Sequence, residues 1–285
     1  MSDGRPWRLI AIDLDGTLLD SQHRLPDVNR DALHRAHAAG LKIVLCTGRA
    51  FTETRPVIAD IGLDLDATVT VFGALVTDVA TGRTLARRAI DLSLARAATA
   101  WFQERDYAVL WLADADAAGF DGYVLDGPRR HPAVDRWMAK SSCVVREVRA
   151  LPADAPPPVR LSVIDDEAAL APVSAALRAA FDGRLVHNVL HAPPYNLSLV
   201  EVFAAGVSKW AGLLELCRRW NIDPRQTVAV GDDVNDLEMV QSAGLGVAME
   251  NANPRLRAVA RHVTASNDAG GVARLIDELL SGRHG

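Results

Sequence analysis

Apolar runs and polar loops alternate along the chain in two different rhythms. Leu9–Ile12 is a short apolar run that ends at Asp13, the pattern of a buried strand. In Asp27–Gly40, Val28, Ala32, Leu33 and Ala36 fall near helical spacing, and Gly40 supplies a C-terminal stop. Lys42–Cys46 predicts a second buried strand, ending at Thr47-Gly48-Arg49. Phe51–Ile61 predicts a helix whose start is blurred by Pro56, and Ala67–Val71 predicts a third strand. Strands alternating with helices predict a parallel α/β sheet.

Beyond Asp78 the rhythm changes. Leu92–Arg105 reads as a helix, and Tyr107–Ala113 and Tyr123–Leu125 as strands. Asp154–Pro158 is a proline-rich loop, Val159–Ile164 a strand, Glu167–Phe181 an alanine-rich helix and Leu197–Phe203 another strand. That mixture predicts a separate α+β domain. From Ser208, a candidate helix cap, the α/β rhythm resumes with a helix to Trp220. A buried strand over Thr227–Val230 ends at Gly231-Asp232-Asp233. A helix over Leu237–Ala243, a strand over Leu245–Ala248, a helix opened by Pro254 and a last helix over Gly271–Leu280 complete the chain. The expected organisation is an α/β core, residues 1–83 and 192–285, interrupted by an inserted α+β domain at 84–191.

Composition narrows the function. At roughly 150 residues per domain, 285 residues predict two domains. With 49% hydrophobic and 24% charged residues, the chain is neither disordered nor collagen-like. A net charge of -5 gives no footprint for duplex nucleic acid. The apolar runs are too short to span a bilayer, and Met1–Arg8 lacks the apolar core of a signal peptide. Cys46, Cys143 and Cys217 are widely spaced and suggest neither a disulfide framework nor a zinc site. The expectation is a cytoplasmic protein, monomer or homodimer. Of its 31 basic residues only Lys42, Lys140 and Lys209 are lysines, so a lysine in this chain raises the question of a need for a compact ammonium.

Open α/β sheets bind ligands at the carboxyl ends of their strands. There the sequence places Asp13-Leu14-Asp15-Gly16-Thr17, Thr47-Gly48, and Asp232-Asp233 with Asn235 and Asp236 close by. Carboxylates converging at one edge cannot all stay ionised without compensation. Hard oxygen donors with no nearby His or Cys point to Mg²⁺. An EF-hand starting at Asp13 is excluded, because its sixth and twelfth positions are Leu18 and Arg24. Gly244-x-Gly246 lacks the third glycine of a dinucleotide loop, Met249 standing in that place, and no Gly-x-x-x-x-Gly-Lys loop exists.

Asp13-Leu14-Asp15-Gly16-Thr17-Leu18 resembles the first motif of the haloacid dehalogenase superfamily. Thr47 after an apolar strand resembles the second, Lys209 in Gly206-Val207-Ser208-Lys209 the third, and Gly231-Asp232-Asp233-Val234-Asn235-Asp236 the fourth. Ala243–Asn253 and Asn267–Val272 are similar to the Cof-type branch (type IIB), whose C2 cap is inserted between motifs two and three. The resemblance implies a Rossmann-like core with an inserted α+β cap. It also implies a Mg²⁺-dependent phosphatase acting on a small phosphorylated metabolite such as a sugar phosphate.

On that resemblance, Asp13 is the nucleophile that forms an aspartyl-phosphate. Asp15 protonates the leaving oxygen and then deprotonates water. Mg²⁺ is held by Asp13, the Asp15 carbonyl and Asp232, with Asp236, and Asp233 beside it, at the metal's edge. Thr47 and the backbone of Leu14 and Gly48 donate to phosphoryl oxygens, Lys209 balances charge, Asn235 contacts the phosphoryl group, and Arg49 faces the substrate. A phosphomutase or phosphotransferase, or a non-catalytic phosphometabolite-binding module, are the alternatives. The chain has Phe72-Gly73-Ala74 where the family usually has Asn-Gly-Ala, and Trp210 where a Gly is usual. Trp111, Asp114, Arg129, Arg130, His131, Tyr195 and Asn196 are the cap candidates for specificity.

Overall fold

In the computed structural model the described residues are 7–192 and 197–283. They fold as two units: one up to Ala86 and again from Ser208 onward, the other Arg87–Val207. The first stretch of the chain comprises β1 (Leu9–Ile12), α1 (Asp27–Ala38), β2 (Lys42–Leu45), α2 (Phe51–Ile61), β3 (Ala67–Thr70), β4 (Leu75–Asp78) and β5 (Thr84–Arg87). The inserted stretch comprises α3 (Leu92–Gln103), β6 (Val109–Leu112), α4 (Ala115–Ala118), β7 (Gly122–Leu125), α5 (Pro132–Lys140), β8 (Val145–Val148), β9 (Arg160–Asp165), α6 (Glu167–Phe181), β10 (Leu185–Ala192) and β11 (Leu197–Ala204). The chain closes with α7 (Lys209–Trp220), β12 (Thr227–Gly231), α8 (Leu237–Ser242), β13 (Leu245–Ala248), α9 (Pro254–Val259), β14 (His262–Val263) and α10 (Gly271–Leu280).

The first unit is built on a parallel sheet of order β14-β13-β12-β1-β2. β1 lies between β12 and β2, with Ile12 opposite Val230 on one side and Leu45 on the other. Successive side chains point to opposite faces, and both faces are covered, so these strands are apolar throughout. Ile10, Ile12, Ile43, Leu45, Val228 and Val230 pack on one face with Leu33 of α1 and Ile276 of α10. Leu9, Ala11, Val44 and Ala229 pack on the other with Leu213 and Leu216 of α7 and Met239 of α8.

The expected third parallel strand forms but does not join this sheet. β3 pairs antiparallel with β4, and its link to the β2 side is a bridge between Cys46 and Val69. The chain reverses direct after β3 because Val71, Phe72 and Gly73 all take positive φ. At Gly73 (φ +97) an added Cβ would lie 1.9 Å from the Ser208 carbonyl oxygen, so the reversal packs against the start of α7 only with glycine.

The inserted unit has a mixed sheet of order β10-β11-β9-β6-β7-β8, antiparallel except for β7 with β8. One face carries α3 and α6: Ala98, Phe102, Leu170 and Leu177 pack on Val109, Trp111, Leu161 and Val163. On the other, Val134, Trp137 and Met138 of α5 cover Leu110, Val124 and Ile164. The second boundary falls later than residue 192. β11 pairs with β10 and with β9, and Val200 and Val202 belong to this unit's core, so the insert runs to Val207. Among the described residues no helix is long and apolar enough to cross a membrane.

Several cap candidates have structural duties inside this unit. Trp111 is buried in its core, and its indole donates to the Pro156 carbonyl at 3.0 Å. Asp114 caps α4 and pairs with Arg87, and His131 caps α5 by accepting from the Ala133 N–H. Arg129 pairs with Asp165 and stacks on Tyr107, while Arg130 is tied to Asp135 and Glu147. Tyr195 and Asn196 lie outside the described residues.

Candidate active site

The site stands at the carboxyl edge of the parallel sheet. Asp13 follows β1 directly, and its N–H still donates to Val230 of β12 at 3.1 Å. The chain then turns sharply: Leu18 N–H reaches back to the Asp13 carbonyl at 3.2 Å, with Gly16 at φ +80. A Cβ on Gly16 would sit 2.3 Å from an Asp232 carboxylate oxygen, so glycine lets this turn press against the end of β12. The Thr17 hydroxyl donates to Asp232 Oδ1 at 3.1 Å, and the Asn251 amide donates to the Gly16 carbonyl at 2.9 Å.

Asp236 is wholly buried in the loop after β12. Its Oδ2 accepts the N–H groups of Asp232 at 3.0 Å and Asp233 at 3.2 Å, which fixes the loop around it. A Cβ on Gly231 would lie 2.4 Å from this carboxyl group. Lys209 opens α7, whose N-terminus Ser208 caps by accepting the Ala211 N–H at 3.1 Å. The Lys209 side chain is completely buried, and its ammonium donates to Asp13 Oδ1 at 2.5 Å and to Asp236 Oδ1 at 2.6 Å.

This arrangement is short of positive charge. Oxygens of Asp13, Asp232 and Asp236 lie within 4.8 Å of one another. Burial pushes the Asp13 carboxyl up; Lys209 opposes that and the charges of Asp236 and Asp232 add to it, leaving it well above the usual carboxylate range. Burial, then repulsion from Asp236, pushes Asp232 up to about 7. Burial alone would lower Lys209, but the two carboxylates outweigh it, and the ammonium stays charged. Three carboxylates facing one ammonium, all hard oxygen donors, fit a divalent cation. Asn235 Oδ1, from the same loop, is buried without a hydrogen-bond partner among the described residues.

Asp15 belongs to a second cluster. Its side chain is 41% exposed and does not join the three carboxylates. The Arg49 guanidinium forks onto it, Nε to Oδ2 at 2.8 Å and Nη2 to Oδ1. His23 Nδ1 lies 3.1 Å from Oδ1. Burial works to raise the Asp15 pKa, but the Arg49 bonds and charge, joined by His23, outweigh it and hold the carboxyl below its ordinary value. Thr47 is buried and its hydroxyl accepts the Arg49 N–H at 3.1 Å, joining the end of β2 to this cluster. Gly48 leaves open space where a Cβ would stand, and Leu14 is buried in the core beneath the turn.

The structure therefore gathers Asp13, Lys209, Asp232 and Asp236 tightly, and sets Asp15, Thr47 and Arg49 beside them as a separate group. His23, Asn251 and Asn253 were given no role from the sequence, and Thr17 stood there only as part of the first motif; Asn253 N–H holds the Asp232 carbonyl at 2.7 Å. His23 sits in a polar loop with no periodicity to mark it. Trp210, where a glycine is usual, packs beneath the sheet with Leu213 and Met239.

Residues 10–276 match the family of haloacid dehalogenase-like hydrolases. The chain is 29% identical to the 5-amino-6-(5-phospho-D-ribitylamino)uracil phosphatase YwtE of Bacillus subtilis, over 97% of this chain and 99% of that protein. It is 28% identical to the phosphatase YwpJ of the same organism, over 96% of this chain and all (100%) of that protein. The solved structure of a haloacid dehalogenase-like hydrolase from B. subtilis superposes with a TM-score of 0.78 at 26% identity, covering 95% of this chain and 99% of that one. A match across nearly the whole length, on a chain whose motif residues meet at one sheet edge, shows that it belongs to the haloacid dehalogenase-like hydrolases, in the Cof-type branch, as a phosphoric monoester hydrolase.

Proposed function

We propose that this phosphatase hydrolyses a small phosphorylated metabolite, such as a sugar phosphate, through an aspartyl-phosphate on Asp13, with Mg²⁺. The observation that carries the reading is the buried Lys209 ammonium bonded to both Asp13 and Asp236, with the Asp232 carboxylate beside them in no ion pair among the described residues. Asp13, Asp232 and Asp236, with the Asp15 backbone carbonyl, are the residues that would hold Mg²⁺. Bound there, the ion supplies positive charge against the phosphoryl oxygens and the carboxylates.

The Asp13 carboxylate attacks phosphorus, forming the Asp13 Oδ–P bond as the ester P–O bond breaks. Lys209 aligns Asp13 for that attack and opposes the rise of its pKa, and the bound cation would add the rest of the charge that keeps the carboxylate ionised. Thr47 and the backbone N–H groups of Leu14 and Gly48 receive the phosphoryl oxygens, and Asn235 orients the group from the other side. Asp15 gives a proton to the leaving oxygen, and in the second half-reaction takes one from the water that attacks phosphorus. The ionised state that Arg49 and His23 favour is the form needed for that second step. For the first, Arg49 moves from Asp15 to an anionic group of the substrate, which releases the Asp15 pKa upward.

The test is phosphate release from p-nitrophenyl phosphate and a panel of phosphorylated metabolites, with Mg²⁺ and with EDTA. The ribitylaminouracil phosphate on which the YwtE relative is named to act belongs on that panel. Mg²⁺-dependent release, lost in Asp13→Asn, supports the proposal. Transfer of the phosphoryl group to a second hydroxyl without release of phosphate indicates a mutase instead.

A further inference from the structure

One acidic side chain holds together the loop between the first motif and α1. Asp20 organises it. Its Oδ1 accepts the N–H groups of Gln22 and Arg24 at 2.9 Å each, and its Oδ2 accepts from the Arg24 guanidinium at 3.0 Å. The His23 N–H donates to the Asp20 carbonyl at 2.9 Å, and Asp268 holds the Ser21 N–H at 2.8 Å from across the unit.

The loop presents His23 in a left-handed conformation, φ +58, where a side chain is uncommon. Its side chain is 71% exposed, so no apolar burial repays that conformation. What the conformation achieves is the bond to Asp15 Oδ1 at 3.1 Å. An ionised carboxylate only accepts, so Nδ1 carries the hydrogen and donates. Local strain held by a well-bonded loop beside reacting groups is a mark of function.

We propose that His23 is a positioning residue for Asp15: it holds the carboxyl group aimed at the leaving oxygen when Arg49 turns to the substrate. Arg49 grips both Asp15 oxygens, and His23, from the loop after the first motif, grips Oδ1. With Arg49 withdrawn, His23 is, among the described residues, the side chain left bonded to the Asp15 carboxyl: Oδ1 goes on accepting its hydrogen while Oδ2 carries the proton meant for the leaving oxygen. The proposal rests on the acid role assigned to Asp15 above.

The experiment compares kcat/KM for two esters, β-glycerophosphate and p-nitrophenyl phosphate. The first has a poor alkoxide leaving group that needs a proton; the second leaves readily without one. Because kcat/KM reports the steps up to ester cleavage, later hydrolysis of the enzyme intermediate does not enter. His23→Ala is expected to lower kcat/KM about tenfold for β-glycerophosphate, part of the ~10²–10⁴-fold that a placed acid contributes. For p-nitrophenyl phosphate the loss stays within about twofold. His23→Asn tolerates the left-handed backbone and offers an amide N–H near the Nδ1 position, so it restores most of the loss. Equal losses on both esters, no loss on either, or no rescue by Asn overturns the assignment. Asp15→Asn, run on the same pair, separates the two claims. If its loss is no larger on β-glycerophosphate than on p-nitrophenyl phosphate, the acid role itself is refuted, and the His23 assignment falls with it.

Discussion

Lys209 is the residue on which the site's electrostatics turn. It is one of three lysines in a chain otherwise supplied with arginine, and its burial between Asp13 and Asp236 explains the choice. A compact ammonium reaches two carboxylate oxygens in a space that a planar guanidinium would not fit. Lys209→Met removes one partner of a buried cluster and leaves carboxylates uncompensated. In the absence of Mg²⁺ the core unit should lose about 3–5 kcal/mol, measured by urea unfolding, and phosphatase activity should fall to background. A variant as stable and as active as the native chain would contradict the charge-balancing role. At this scale the placement of Asp13, Thr47 and Asp232 at strand ends was legible in the sequence, because spacing after an apolar run fixes where a side chain emerges from a sheet; Lys209, which opens α7, was marked instead by the resemblance and by the rarity of lysine. His23 was not legible: its role depends on a loop folding back by hydrogen bonds to Asp20, which leave no periodic trace.

At the scale of elements, glycines decide how closely the site's walls approach. The Gly73 turn and the first turn of α7 meet so closely that a Cβ would overlap the Ser208 carbonyl, backbone that cannot simply rotate away. Gly73→Ala should therefore displace the start of α7 and with it Lys209. The expected result is a destabilisation of about 1–3 kcal/mol together with a drop in kcat, read by urea unfolding and phosphate release. Loss of stability with kcat unchanged would show that the turn does not position Lys209. The alternation of strands and helices was readable on both flanks of the insert, since buried parallel strands are short continuous apolar runs. β3 was readable as a strand, but its partner was not: the reversal at Val71–Gly73 sends it into an antiparallel hairpin. β10 was missed because Leu185–Ala192 mixes His187, Asn188 and His191 into its alternation, and that hid where the inserted sheet ends.

For the whole molecule, the excess of carboxylates makes folding depend on pH and, on the proposed function, on metal. Asp232 has an ordinary value of 3.8 and stands at about 7 in the folded chain. A raised carboxylate contributes stability that is full below the ordinary value and is lost as pH rises through the folded one. Asp13 shifts in the same direction. The thermal midpoint of the metal-free protein should thus fall between about pH 4 and about pH 7, Mg²⁺ should restore it at the upper end, and Asp232→Asn should flatten the slope. A midpoint that rises over this range, or that Mg²⁺ does not move, would contradict a cation site at these residues. The division into a core and an insert followed from the change of rhythm along the sequence. Its second boundary did not, because a strand's membership in a sheet depends on distant partners such as Arg160–Asp165.

The most direct test of the central claim is to look for the phosphoryl group on Asp13. Asp15→Ala protein, incubated with Mg²⁺ and p-nitrophenyl phosphate, is quenched in acid, digested and mapped by mass spectrometry. Without the base of the second step, a phosphoryl group should accumulate on the peptide carrying Asp13 and be absent when Asp13 is also changed to Asn. Steady phosphate release by the Asp15→Ala protein with no labelled peptide, or label on another residue, would contradict the mechanism.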